Sequence, residues 1–401
     1  MTLLTLSTLT AIALATAARP VPDYRIGTRP GPDGVYEFHD RVTGAAFRPR
    51  GFSYIRLDKD LRPLSPHSTF NPGLFDLERA DRALATIAAH GYNTVRVLIN
   101  GSAVTEADGG ICGAYMRNLA AFLDRVREHG MQALLVLPVY IPSRHPANRS
   151  PALLADINWL LLAEEAVAFR EVFLMDFIRA LHELGAPRDA VLAYDLSELH
   201  FTRSRPPFSL EPGYTVTTAS GEYRIENAED ADRMMSEGFL TFANRARAAV
   251  RRVAPNALLG VDLFPSVPFP NDPRFHDAAI LFESDLDYIG LQLYPFFTGE
   301  RDEAGMDALL SALHVPAVPG KPVLMEEFGS LKRLQSLDQA VTSLTTWVRL
   351  AEQKGIRGWI LWTYDCAEQA DPVFNEDFWL AVDQDFRLLR ALGAPTAPAA
   401  P

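Results

Sequence analysis

Residues 321–330 read KPVLMEEFGS, and residues 190–199 read AVLAYDLSEL. Each is a continuous apolar run that finishes in acid, Glu326 and Glu327 in the first and Glu198 in the second. A short apolar run bounded by Gly, Pro or polar residues fits a strand buried on both faces, the kind a helix-covered parallel sheet needs. Outward from these two, similar runs recur at GFSYI (51–55), YNTVRVLI (92–99), MQALLVLPVYI (131–141), ALLGVDLF (257–264), DYIGLQLY (287–294) and GWILWTY (358–364). Most are followed by a segment with apolar residues at helical spacing, such as DLERADRALATIAAHG at 76–91, where Gly91 is placed to end the helix. About eight strand–helix units predict an α/β fold, a (β/α)8 TIM barrel forming a single domain over residues 23–392. A doubly wound open sheet is the alternative, but no GxGxxG follows the first strand, so a dinucleotide site has no support.

Three stretches lie outside a minimal barrel. Residues 34–51 predict an N-terminal β-hairpin, VYEFHD and AAFRPRG about a turn at Arg41-Val42-Thr43-Gly44. Long loops follow strands three and four, at 141–161 and 200–225, and the second contains a predicted small hairpin in TVTTASGEYRI. Loops at that end of a barrel border the active site and shape the substrate cleft. The last residues, 393–401, are expected to form a disordered tail.

Composition narrows the partners. The 401 residues carry a formal net charge of −12, which argues against nucleic acid and against strongly anionic polymers. Residues 1–18 are uncharged and apolar, with Ala15-Thr16-Ala17 as a small-x-small cleavage pattern, and read as a secretory signal peptide lacking a basic first region. The chain is therefore expected to be secreted or periplasmic, with a short uncleaved anchor as the alternative. No later run approaches the ~20 apolar residues of a membrane span. Cys112 and Cys366 lie in no CxxC or Cys/His ligand pattern, so no metal is expected; they either pair or stay as two thiols.

In such a barrel, chemistry sits where strands end. Glu198 closes strand four and Glu327 closes strand seven, roughly opposite each other. Carboxylates reaching inward from both could approach the ~5–5.5 Å separation used by retaining glycosidases. Strand alternation puts only one of Glu326 and Glu327 inside the mouth. Arg96 is a charge inside an apolar strand, and burying it unpaired would be costly, so it must meet a carboxylate or lie at the mouth. Tyr294 closes strand six and could donate to a carboxylate. Trp362 closes strand eight, and an exposed indole can stack on a sugar face.

The ordered set RGFSY, GYNTVRV, YDLSEL, LQLYPF, KPVLMEEFG and GWILWTY, from Arg50 to Asp365, resembles glycoside hydrolase family 5 and its wider clan of retaining barrel glycosidases. The resemblance implies Glu198 as acid/base and Glu327, followed by Phe328-Gly329, as nucleophile, with Glu326 its outward neighbour. It implies Arg96 and Tyr294 as supports of the nucleophile and Trp362 as the sugar platform. Ser197 stands where the family carries an Asn that contacts the sugar 2-hydroxyl, and Gln292 where it carries a His. Leu199 replaces a frequent Pro, and strand three ends in LPVYIP where a His is common. These departures bear on substrate and rate rather than on reaction type. The implied partner is a carbohydrate or glycoconjugate, with no cofactor, and a monomer is favoured. A carbohydrate-binding protein on a degenerate barrel is the rival reading. A metal-dependent hydrolase lacks its His-x-His in RGFSYI, and a phosphate-binding barrel lacks its second glycine-rich loop after Trp362.

Overall fold

A computed structural model of the chain describes residues 23–55, 67–148, 153–265, 274–275, 278–365 and 377–393. The expected leader at 1–18, the tail beyond Gly393, Cys366 and part of the loop after strand three lie outside the described residues. Eight parallel strands close into a barrel: Arg50–Ser53, Thr94–Leu98, Gln132–Val136, Val191–Glu198, Leu259–Leu263, Ile289–Gln292, Val323–Phe328 and Trp359–Leu361. The eighth pairs in parallel with the first, Leu361 opposite Phe52, so the sheet has no free edge. Strands three, five, six, seven and eight are buried at every residue. That two-sided burial is why these segments are apolar without alternation.

The helices begin and end where local chemistry requires. Asp76 caps Leu77–Ala89 by accepting the Arg79 N–H at 2.9 Å, and Gly91 follows at φ +83°, a conformation glycine adopts without a Cβ clash. Ser336 and Gln339 form a reciprocal capping box on Leu337–Gln353. Asn227 caps the long helix Ala228–Val253, whose buried face includes Phe239, Phe242 and Val250.

The N-terminal element is larger than the predicted hairpin. Tyr36–Asp40 pairs with Ala46–Phe47 as expected, but Ile26–Pro30 adds a third strand on the other side, Thr28 opposite Phe38. Arg50 belongs to the barrel and not to the hairpin. Ile26 and Phe38 of this sheet pack with Leu134, Leu192, Leu258, Tyr288 and Leu324, which lie at or beside the N-terminal ends of barrel strands. The sheet thus closes the barrel floor and leaves the C-terminal end as the open one. Tyr214–Thr218 and Gly221–Ile225 form the small hairpin expected in the loop after strand four. Among the described residues no helix is long and apolar enough to cross a membrane.

Candidate active site

Arg96 enters the barrel from the middle of strand two and is 1% exposed. Its five donors meet three carboxyls. Nη1 donates to Glu327 Oε1 at 2.6 Å, Nη2 to Asp262 Oδ2 at 2.7 Å and Nε to Glu326 Oε2 at 3.2 Å. Two of the three carboxyls have a second support, whereas Glu326 Oε1 has no hydrogen-bond partner among the described residues. Tyr294 donates to Glu327 Oε2 at 2.8 Å, and Gln292 Nε2 to Asp262 Oδ2 at 2.9 Å. Asp195, also fully buried, accepts from the Tyr288 hydroxyl at 3.0 Å and the Ser197 N–H at 2.7 Å.

Three buried carboxyls therefore share one arginine, a fourth, Asp195, lies close enough to feel its charge, and electrostatics follows from that imbalance. Burial pushes Glu327 up to about 7; the nearby Asp262 and Glu198 add to the rise, while Arg96 and the Tyr294 hydrogen bond oppose it. Burial also lifts Asp195 to about 7, helped by Asp262. Glu326 is driven well above the usual carboxylate range by burial and by the charges of Asp195 and Asp262. Burial works against the charge on Arg96, yet Glu327, Asp262 and Glu326 together hold its pKa above the ordinary value. Burial and mutual repulsion thus drive the cluster toward its protonated forms, Glu326 most strongly.

The expectation that Glu326 points outward is corrected here. Glu326 is fully buried and bonded to Arg96. Strand seven slips by one residue against strand six, Leu291 opposite Met325 but Gln292 opposite Glu327. An extra residue at such a bulge breaks the alternation on which the outward assignment rested. Gly290 makes the burial possible, since a Cβ there would lie 2.3 Å from Glu326 Oε1.

Above this cluster opens a cavity of about 450 Å³ at the C-terminal end of the barrel. All seven residues singled out from the sequence line it: Arg96, Ser197, Glu198, Gln292, Tyr294, Glu327 and Trp362. Glu198 is more open than Glu327, its side chain 29% exposed against 10%, and His200 Nδ1 lies 3.5 Å from its Oε1. Ser197 holds φ +70°, a left-handed conformation that is uncommon for a non-glycine residue, and its N–H bond to Asp195 helps to fix it. Trp362 precedes a cis peptide bond to Thr363. Among the described residues no group of three or more His, Cys, Asp or Glu is arranged to hold a metal ion.

Several lining residues carried no signal in the sequence reading. Asp262 and Asp195 do not line the cavity but stand around Arg96 beneath the site, and each is a charge in an apolar strand, the criterion that singles out Arg96. His67 lines the cavity from a loop and is held near 4 by burial and by Arg96, so it stands as a neutral imidazole. Phe264, Phe296, Phe297 and Phe378 complete the wall, and as loop phenylalanines they read as ordinary apolar residues.

No protein-family model matches the sequence, and no curated protein matches it significantly. The fold is shared with solved glycosidases, family 5 proteins among them. An exo-β-1,4-mannosidase from Opitutaceae bacterium strain TAV5 aligns over 89% of this chain with TM-score 0.60 and 18% identity. The chain spans 59% of that protein's length. A family 5, subfamily 18 protein from Streptomyces cattleya, solved with Manβ1-4GlcNAc, aligns over 86% of this chain and 79% of its own, with TM-score 0.59 and 19% identity. The endo-1,4-β-mannanase of Rhizomucor miehei aligns over 92% and 98%, with TM-score 0.58 and 11% identity. The chain has the (β/α)8 barrel of these enzymes.

Proposed function

We propose that this protein is a retaining glycoside hydrolase acting on a β-linked glycan or glycoconjugate. The observation that supports it most is that Glu198 and Glu327, from strands four and seven, line one cavity, with Glu327 gripped by Arg96 and Tyr294. In this reading ionised Glu327 attacks the anomeric carbon and forms a glycosyl ester as the glycosidic C–O bond breaks. Glu198 gives its proton to the departing oxygen. It then takes a proton from water, whose hydroxide displaces Glu327 and leaves the free sugar. Tyr294 and Arg96 orient the nucleophile and offset its charge. Ser197 and Gln292 face the same cavity as candidate sugar contacts, and Trp362 as a stacking surface. The fold shared with family 5 mannosidases and mannanases favours β-mannosides and β-glucans as the first substrates to try.

The test is turnover of aryl β-glycosides, β-glucans and β-mannans by the wild type and by Glu198→Gln and Glu327→Gln. Loss of at least about 10³-fold in both variants is expected. Wild-type turnover in either variant on an active substrate would refute the assignment. Azide restoring activity to Glu198→Ala with a glycosyl azide of retained configuration, and to Glu327→Ala with one of inverted configuration, would separate acid/base from nucleophile. Binding of glycans with no turnover would instead favour a carbohydrate-binding protein.

A further inference from the structure

Most polar groups of the cavity come from the barrel strands or the residues just after them, with His67 from a loop, whereas among the described residues four phenylalanines line its wall together. Phe264 directly follows strand five, and Phe296 and Phe297 follow strand six. The rings touch at angles: Phe264 and Phe297 have centroids 4.9 Å apart at 61°, and Phe296 and Phe297 5.1 Å apart at 84°. Phe378 extends the wall, 6.3 Å from Phe296 at 54°. A pyranose stacks on one flat ring face, and its equatorial hydroxyls then need polar partners at the rim. Edge-to-face phenylalanines offer neither a single flat platform nor a hydrogen-bond group. Hydroxyls desolvated against them would be left unpaired, which is costly. A flexible alkyl chain or an aryl group loses nothing there and gains the transfer of its surface from water.

The wall also has a defined place along the bond to be cleaved. Asp262 of strand five lies opposite Glu198 of strand four. Phe264 is two residues further along the same parallel direction, about 7 Å toward the mouth. The phenylalanines therefore begin at Phe264, on the strand beside the carboxyl that serves the leaving group, and run to Phe296 and Phe297, whose rings lie 5.1 and 5.2 Å from that of Tyr294, while Trp362 follows strand eight.

We propose that the leaving-group side of the cavity receives an apolar aglycone, an alkyl or aryl group seated on Phe264, Phe296 and Phe297, so that the substrate class is a glycoside of a hydrophobic alcohol. This rests on the hydrolase reading of Glu198 and Glu327. The experiment compares methyl, butyl, hexyl and octyl β-D-glucopyranosides and β-D-mannopyranosides, kept below micelle-forming concentrations, with cellobiose and mannobiose. Binding to the wild-type protein is followed by calorimetry and turnover by released sugar. The dissociation constant should fall about two- to fourfold per methylene until the wall is covered. Phe296→Ser should flatten that dependence; Phe264→Ser serves as the second variant, with circular dichroism checking that each is folded. Equal binding of methyl and octyl glycosides, tighter binding of the disaccharides, or no binding of any octyl glycoside would overturn the proposal. Turnover without chain-length dependence would remove the apolar site and keep the hydrolase. Chain-length-dependent binding without turnover of any glycoside would keep the site and remove the hydrolase.

Discussion

Replacing Glu327 by Gln should change the stability of the protein in a pH-dependent way, because the residue is 7% exposed and shares Arg96 with two other buried carboxyls, Asp262 and Glu326. Its pKa rises from 4.5 to about 7 on folding. A carboxyl raised in the folded state contributes stability that is present below its ordinary pKa and is lost as pH rises through the folded value. Between these limits the unfolded chain has released the proton while the folded one keeps it. The wild type should therefore weaken by about 1.4 kcal/mol per pH unit over that window, in total about 3 kcal/mol. Glutamine cannot ionise, so the variant escapes this loss. Whatever the variant costs at pH 4 through altered contacts with Arg96 and Tyr294, its stability relative to wild type should improve by about 3 kcal/mol by pH 7.5 and then level off. Denaturant unfolding at half-unit pH steps measures this difference directly. A difference that stays flat, or that turns against the variant as pH rises, would mean that Arg96 outweighs burial and holds Glu327 ionised. The reasoning about an overcrowded cluster would then be wrong.

The same balance yields further expectations. Tyr294→Phe removes a hydrogen bond to the charged form of Glu327, so the acidic limb of the kcat/KM–pH profile should move to higher pH; a shift to lower pH would refute this. Arg96→Met strips three buried carboxyls of their cation and should cost about 3–5 kcal/mol in denaturant unfolding, with part regained in the double variant with Asp262→Asn. Gly290→Ala drives a methyl into Glu326 and should destabilise by about 1–3 kcal/mol. Combined with Glu326→Ser, which clears that space, its cost should shrink, and additive costs in the cycle would deny the contact. Ser197→Gly should relieve the left-handed backbone at φ +70° and stabilise by about 1 kcal/mol in denaturant unfolding, and a loss of stability would refute this.

Barrel architecture was legible because burial on both faces forces strands to be apolar throughout, and helices announce themselves by period and by caps such as Asp76 and Ser336. Glu198, Glu327, Arg96 and Tyr294 were legible because each closes or interrupts an apolar strand, where an isolated polar group needs a reason. By that criterion Asp195 and Asp262 are legible in the sequence as well. The strand Ile26–Pro30 escaped because five residues ending in Pro, on a surface sheet, carry little period.

What the chain order alone determined is which residues arrive at the open end, since parallel strands in sequence order deliver their C-terminal residues to one rim. Which of two adjacent glutamates faces the cavity was decided by a one-residue slip between strands six and seven, and by the missing side chain at Gly290. Both act between segments 36 residues apart or fewer, yet neither is written in the local alternation of KPVLMEEFGS. Tertiary structure alone also set the charge balance, because the pKa of Glu327 depends on how many carboxyls from strands four, five and seven crowd around one arginine from strand two. Burial and distance, not residue identity, make Glu327 the member of the pair that lines the cavity and Glu326 its fully buried companion.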